Sequence, residues 1–158
     1  RVLSNSLSEN EQKNIKRLIL CSGKIYFELQ DKIQQLQNTK THIVRIEQLY
    51  PFPYTALENA IKKFSNCEII WCQEEPKNMG AWGFIRSRIE DVLKKINSKQ
   101  LNLYFIGRRA AASPATGVFD RHLSNQKNLL RLAIEADIEE IKRENKGVSL
   151  VKYKLPIE

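Results

Sequence analysis

Four short apolar runs rich in β-branched residues punctuate this chain, and each is followed by apolar residues returning every three or four positions. IKRLILC (15–21) precedes Tyr26, Leu29, Ile33 and Leu36. HIVRIEQLY (42–50) precedes Tyr54, Leu57, Ile61 and Phe64. CEIIWCQ (67–73) precedes Trp82, Ile85, Ile89, Val92 and Ile96. LNLYFI (101–106) precedes a helix predicted over roughly 122–143, with Leu123, Leu130, Ile134, Ile138 and Ile141 along it. Strand runs alternating with helical stripes at this spacing admit few architectures. They predict a three-layer α/β domain with a mostly parallel sheet and, because parallel crossovers are right-handed, helices on both faces.

The punctuation agrees. Ser22-Gly23 closes the first run, and Pro51-Phe-Pro53 stops the second because proline cannot donate to a ladder. Pro53 then falls near the first turn of a helix, where its missing N–H leaves no orphan. Residues 1–14 are polar after the first three and read as a lead-in linker, 15–143 as the domain, and 144–158 as a tail or an edge strand. The 158 residues fit one domain, which at that size buries roughly 70% of the surface its unfolded chain exposes. The first residue is Arg1 rather than Met, which suggests processing or a piece of a longer polypeptide.

Charge narrows the function classes without choosing one. Lys and Arg number 26 against 18 Asp and Glu, a net +8. Such a balance permits an anionic partner. The basic residues are scattered, however, and no helix-turn-helix, zinc-finger or RNP signature organises them, so nucleic acid is not an expected partner. No apolar stretch approaches a membrane span, and no signal peptide opens the chain. Cys21, Cys67 and Cys72 make no disulfide framework, and a reducing compartment is the default.

In a parallel sheet, ligands favour the crevice at the carboxyl ends of the strands. Here those ends are Ser22-Gly23-Lys24, Glu47–Pro53, Gln73–Gly83 and Gly107–Gly117, so all four unusual segments are expected on one edge. CSGK lacks both the P-loop and the dinucleotide glycine patterns, which favours a plain strand-to-helix turn. Glu74 and Glu75 are adjacent and point apart on an extended backbone. Glu47, another strand-end carboxylate, is expected to approach Glu74 across neighbouring strands. Salt bridges explain these carboxylates better than catalysis does. In QEEPKNMGAWGF (73–84), Trp82 falls on the helical apolar face as packing, and Glu74, Glu75, Lys77, Asn78, Met79 and Trp82 suit a contact with another domain or subunit. GRRAAASPATG (107–117) sets Arg108 and Arg109 beside Ser113, Thr116 and small residues; with Lys24 these make a candidate anion or regulatory site. Solvated arginines without a ligand fit the same pattern. Nothing in the chain pairs a nucleophile with a base, and no metal-ligand spacing occurs, so no catalytic or metal residue is predicted.

VRIEQLYPFP (44–53), IIWCQEEPKNMGAWGFIRSR (69–88) and YFIGRRAAASPATG (104–117), with LILCSGKIYFEL (18–29), closely resemble the C-terminal domain of the E1 component of 2-oxoglutarate dehydrogenase, over about residues 16–134. The resemblance implies a transketolase-like C-terminal domain. It also implies a parent enzyme that uses thiamine diphosphate and Mg²⁺ to decarboxylate 2-oxoglutarate and succinylates the lipoyl group of the E2 component. The parent's partners would be its own preceding domains, a homodimer partner and the E2 succinyltransferase. Its place would be a bacterial cytoplasm, or the mitochondrial matrix in a eukaryote. This chain has no GDG segment for the diphosphate site, so no cofactor is expected on it and its own role would be structural and dimer-supporting. A free-standing acyl-CoA or nucleotide sensor built on Lys24, Arg108 and Arg109 is the competing expectation. After residue 134 the chain runs on beyond where the family domain normally ends.

Overall fold

The computed structural model describes residues 1–64, 67–96, 102–114, 117, 119–137 and 148–154. Its elements run β1 (Val2–Ser4), α1 (Glu9–Asn14), β2 (Arg17–Cys21), α2 (Ile25–Gln35), β3 (Thr41–Ile46), α3 (Tyr54–Ile61), β4 (Glu68–Pro76), α4 (Trp82–Lys95), β5 (Asn102–Arg108), α5 (Phe119–Ile134) and β6 (Val148–Lys154). Among them the sheet has the order β1-β3-β2-β4-β5-β6. The four predicted strands form its parallel centre, and β1 and β6 flank it antiparallel.

Both faces are covered, as the unbroken apolar runs require. On one face Leu18, Leu20, Val44, Ile46, Ile69, Trp71, Leu103 and Phe105 meet α3 and α4 through Leu57, Ile61, Trp82, Ile85, Ile89 and Val92. On the other, Ile19, Cys21, Ile43, Ile70, Cys72, Tyr104 and Ile106 meet α2 and α5 through Ile25, Leu29, Leu129, Leu132 and Ala133. The two sets alternate along each strand, which is the period-two rule acting on a sheet buried on both sides.

Three expectations need correction. Residues 1–14 are no linker: Val2 pairs with Ile46 and Ser4 with Val44 in β1, and α1 follows. Ser8 and Glu11 cap α1 reciprocally, the Ser8 N–H donating to Glu11 Oε2 at 2.8 Å and the Glu11 N–H to Ser8 Oγ at 3.4 Å. That S-x-x-E signature stands in the sequence and marks a helix start. The last helix begins at Phe119 and stops at Ile134, with Glu135–Asp137 non-helical; the predicted stretch 138–143 lies outside the described residues. Its buried stripe is Leu129, Leu132, Ala133 and the expected Ile134, while Leu123 is exposed and Leu130 only partly covered. Of the two endings left open for 144–158, residues 148–154 take the edge strand, paired along β5 from Asn102↔Lys154 to Arg108↔Val148.

A buried cation locks the amino edge. Arg17 at the start of β2 donates to Glu68 Oε2 on β4 at 2.8 and 3.0 Å, and to the carbonyls of Ala133 and Ala136 at 3.1 and 2.8 Å. It thereby pairs a carboxylate and meets the electronegative end of α5 together, a stabilising place for a guanidinium.

Candidate functional site

Because β2, β3, β4 and β5 are parallel, the segments that follow them share one edge, as expected. The turn after β2 sits at its middle. Gly23 adopts φ +74°, a left-handed conformation that glycine takes without a Cβ penalty. Its N–H donates to Glu47 Oε1 at 3.3 Å, and Glu47 also accepts from Arg45 Nε at 2.9 Å. On the other side Lys24 Nζ donates to Glu74 Oε1 at 2.7 Å and to Glu28 Oε1 at 3.4 Å. Hydrogen bonding to Glu74 holds the Lys24 ammonium above its ordinary range. Gln126 of α5 closes the cluster by donating to Glu28 Oε2 at 2.7 Å and Glu74 Oε1 at 3.3 Å.

Glu47 does not approach Glu74 across neighbouring strands. β2 lies between β3 and β4, so the two carboxylates flank the Gly23-Lys24 turn from opposite sides, each with its own cation. Glu75 is exposed, consistent with adjacent residues pointing apart. The carboxylates are spent on ion pairs rather than on a shared proton.

The loop after β4 is organised by a residue that sequence reading passed over. Gln73 is only 4% exposed. Its Oε1 accepts from the Trp71 indole N–H at 2.9 Å and the Trp82 backbone N–H at 3.1 Å, while its Nε2 donates to Met79 O at 2.8 Å and Pro76 O at 3.2 Å. One amide thus ties the strand, the loop and the first residue of α4 together. Gly80, at φ +65°, passes so close that a Cβ there would lie 2.9 Å from Gln73 Nε2 and 3.0 Å from Glu75 Oε2. Behind the loop Trp82, 3% exposed, packs on Phe105 with ring centroids 5.0 Å apart. The packing role expected for it is what the structure shows.

Asn78 faces the neighbouring loop of the same chain. Its Nδ2 donates to Ala111 O at 3.0 Å and its Oδ1 accepts from Ala111 N at 3.1 Å, so the side chain pairs like a strand backbone. Lys77 N donates to Arg108 O at 2.9 Å, and Arg108 returns Nε to Glu74 O at 2.6 Å and Nη2 to Pro114 O. The structure therefore brings Lys24, Glu74, Asn78 and Arg108 together, with Arg109 and Ser113 exposed alongside. Thr116 lies outside the described residues. Lys24 and Arg108 each donate to carboxylates or carbonyls of the chain itself, although the Lys24 side chain stays 71% exposed.

Acid–base and nucleophilic chemistry have little to work with at this edge. Cys21, Cys67 and Cys72 are buried and unpaired with one another. Burial pushes the Cys21 thiol up to about 12 and that of Cys67 to about 11, and Cys72 rises well above its ordinary value for the same reason. Thiols held neutral are poor nucleophiles. His42 sits at the opposite end of β3, buried, within 2.8 Å of Ser4 Oγ, and desolvation lowers its basicity. Among the described residues no three His, Cys, Asp or Glu side chains form a set able to hold a metal ion. Nor is any described helix long and apolar enough to cross a membrane.

Aromatic rings crowd the rim around β3. Arg45 lies 4.3 Å from the Tyr26 ring centroid and 5.3 Å from that of Phe27, and Phe52 meets Tyr54 edge-on at 4.8 Å. Among the described residues Tyr50 is 83% exposed, Phe27 57% and Tyr54 44%.

Known proteins share this chain's pattern over most of its length. A family model described as 2-oxoglutarate dehydrogenase C-terminal matches residues 1–134. The 2-oxoglutarate dehydrogenase E1 components of Brucella anthropi and Brucella ovis are each 46% identical over 120 residues, covering 76% of this chain and 12% of theirs. That of Brucella abortus strain S19 is 42% identical over 142 residues, 85% of this chain and 14% of its own. The chain thus spans only 12–14% of the length of these curated relatives.

Proposed function

The chain belongs to the 2-oxoglutarate dehydrogenase C-terminal family, and from that premise we propose that it is the closing α/β domain of an E1 polypeptide, structural and non-catalytic by itself. The match over residues 1–134 carries the reading, and it includes the β1–α1 segment as part of the domain. In this reading the carboxyl edge is the side on which the domain meets the rest of its polypeptide and a second E1 copy. Glu75, Lys77 and Met79 at the tip of the β4–α4 loop join that contact.

The residues here do not fit thiamine diphosphate or its Mg²⁺. The sequence has no GDG segment, and the acidic side chains at the edge are paired with Lys24 and Arg45. Thiamine-dependent decarboxylation of 2-oxoglutarate and succinyl transfer to a lipoyl group therefore belong to the remainder of the polypeptide. This chain supplies no step in either. An acyl-CoA or nucleotide sensor would draw on Lys24, Arg108 and Arg109, and the bonds that the first two already make to Glu74 favour the structural role.

The test is the size of the native polypeptide, read by immunoblot of source-cell extract with an antibody to this domain. A band several times larger than 18.4 kDa, co-purifying with thiamine-dependent 2-oxoglutarate decarboxylation, is the expected result. A single band near 18.4 kDa without that activity defeats the reading. In that case a thermal-shift screen with CoA esters and nucleotides decides for the sensor, because a ligand that binds only the folded state raises its stability.

A further inference from the structure

We propose that the aromatic rim around the carboxyl end of β3 is the docking surface for the polypeptide that immediately precedes Arg1. The inference rests on the reading above, that this is one domain of a longer E1 chain, and it narrows the carboxyl edge named there to the end of β3.

Exposure is the first observation. Phe27, Tyr50 and Tyr54 stand 57%, 83% and 44% exposed around one strand end. Aromatic side chains bury about 150–250 Å² each when covered, so Tyr50, at 83% exposure, leaves most of its surface in solvent. The cation beside them does not make this an anion site, because Arg45 is already paired with Glu47 at 2.9 Å. The Arg45 stack on Tyr26 and Phe27 and the Phe52–Tyr54 contact hold the rings in place beforehand, which lowers the ordering cost of an occupant.

Connectivity names the occupant. β1 runs antiparallel to β3, so residue 1 is delivered to the carboxyl end of β3 and not to the amino end. The N–H groups of Glu47 and Gln48 both donate to the Arg1 carbonyl, at 2.9 and 3.2 Å, at the start of the loop that carries Tyr50 and Phe52. Any polypeptide joined to Arg1 therefore emerges at the rim. The relatives are far longer than this chain, and the family is by description C-terminal, which places that extra length upstream. A tethered segment meets the rim at a millimolar-scale effective concentration, whereas a free partner pays the full loss of translational freedom.

The test uses the full-length polypeptide with a benzoylphenylalanine photo-crosslinker in place of Tyr50, and the same group in place of Leu36 as a control. Leu36 is also exposed but lies at the far end of α2. The expected result is an intrachain link from position 50 to residues upstream of Arg1, at several times the control yield. A link to a second copy or to another protein, or a yield equal to the control, overturns the proposal. As a second measurement, the Phe27→Asp/Tyr50→Asp variant should exchange the amides of residues 47–54 at least tenfold faster while the β4 amides keep their protection. Unchanged exchange in that loop also overturns it. A native polypeptide of 18.4 kDa sinks both this inference and the reading beneath it, but a long polypeptide with an unlinked position 50 sinks the inference alone.

Discussion

Replacing Gln73 with Leu keeps the side chain's volume close to native and removes only its hydrogen bonding. Two buried donors then lose their acceptor: the Trp71 indole N–H, 2.9 Å from Gln73 Oε1, and the Trp82 backbone N–H at 3.1 Å. The Met79 and Pro76 carbonyls lose a donor as well. An orphaned buried polar group costs about 1–3 kcal/mol, so two donors and part of the acceptor side should destabilise the domain by about 3–5 kcal/mol, near the upper end for one side chain. Urea unfolding of the 158-residue chain reads this directly. The Trp71→Phe background supplies the control: with one orphan already removed, Gln73→Leu should cost measurably less than in the wild type. A charged probe adds a second reading. In Gln73→Glu the carboxyl would be desolvated and would face the Met79 and Pro76 carbonyls, which outweigh the Trp71 and Trp82 N–H donors at its other oxygen and raise its folded pKa above the unfolded value of about 4.3. The folded state then holds the proton more tightly, so this variant is most stable below about pH 4.3 and weakens as pH rises from there. A Gln73→Leu loss under about 1 kcal/mol, or a Gln73→Glu stability that tracks the wild type from pH 4 to 8, refutes the reasoning.

Trp82→Ala empties a fully enclosed site against Phe105 and should cost about 3–5 kcal/mol in the same unfolding assay, and a loss below about 1 kcal/mol would remove its anchoring role. Gly80→Ala should destabilise more than Gly23→Ala. Both sit at positive φ, but a Cβ at residue 80 meets Gln73 and Glu75 while one at residue 23 finds nothing within 4 Å, and equal thermal shifts would contradict that geometry. Native Cys21 and Cys67 should resist a thiol reagent at pH 8 and react fully on unfolding, since burial keeps them protonated to about 12 and about 11. Their folded pKa values exceed the ordinary 9.0, so the stability they carry is complete below pH 9 and drains away as pH climbs toward 12; a flat stability from pH 8 to 11 would tell against it.

How much of this was legible beforehand follows from the range of the interactions involved. The parallel centre of the sheet was readable because local periodicity and burial on both faces agree in residues such as Leu18, Ile19, Ile69 and Ile70. β1 was not, since three residues carry no period and Val2–Ser4 become a strand only by pairing with residues some forty positions away. The α1 capping box was in plain view at Ser8 and Glu11 and went unused. In α5 the helix and its buried Ile134 were recognisable but the rest of the buried face was not, because Leu123, Leu129 and Leu130 offer competing stripes that only the packed sheet resolves. The carboxyl edge could be placed from strand direction alone. The partners of Glu47 and Glu74 could not, because strand order is a tertiary property. Gln73 looked like one more polar residue at a strand end, although an amide between Trp71 and a glycine turn is a signal that a close reading can use. Asn78 was read as facing outward because nothing local reveals that Ala111 waits across the next loop.

The order β1-β3-β2-β4-β5-β6 also bears on how the sheet assembles as it leaves the ribosome. Once β3 has emerged it joins β1 and β2, and no later described strand adds to that side of the sheet. From then on each new strand adds to the same growing side: β4 beside β2, β5 beside β4, β6 beside β5. Among the described strands the growing row of unpaired backbone groups therefore stays on one side of the sheet and advances with translation. An open parallel edge is a template for intermolecular pairing. Confining it to a single moving front limits when a nascent chain of this fold can be captured by its neighbours on a polysome.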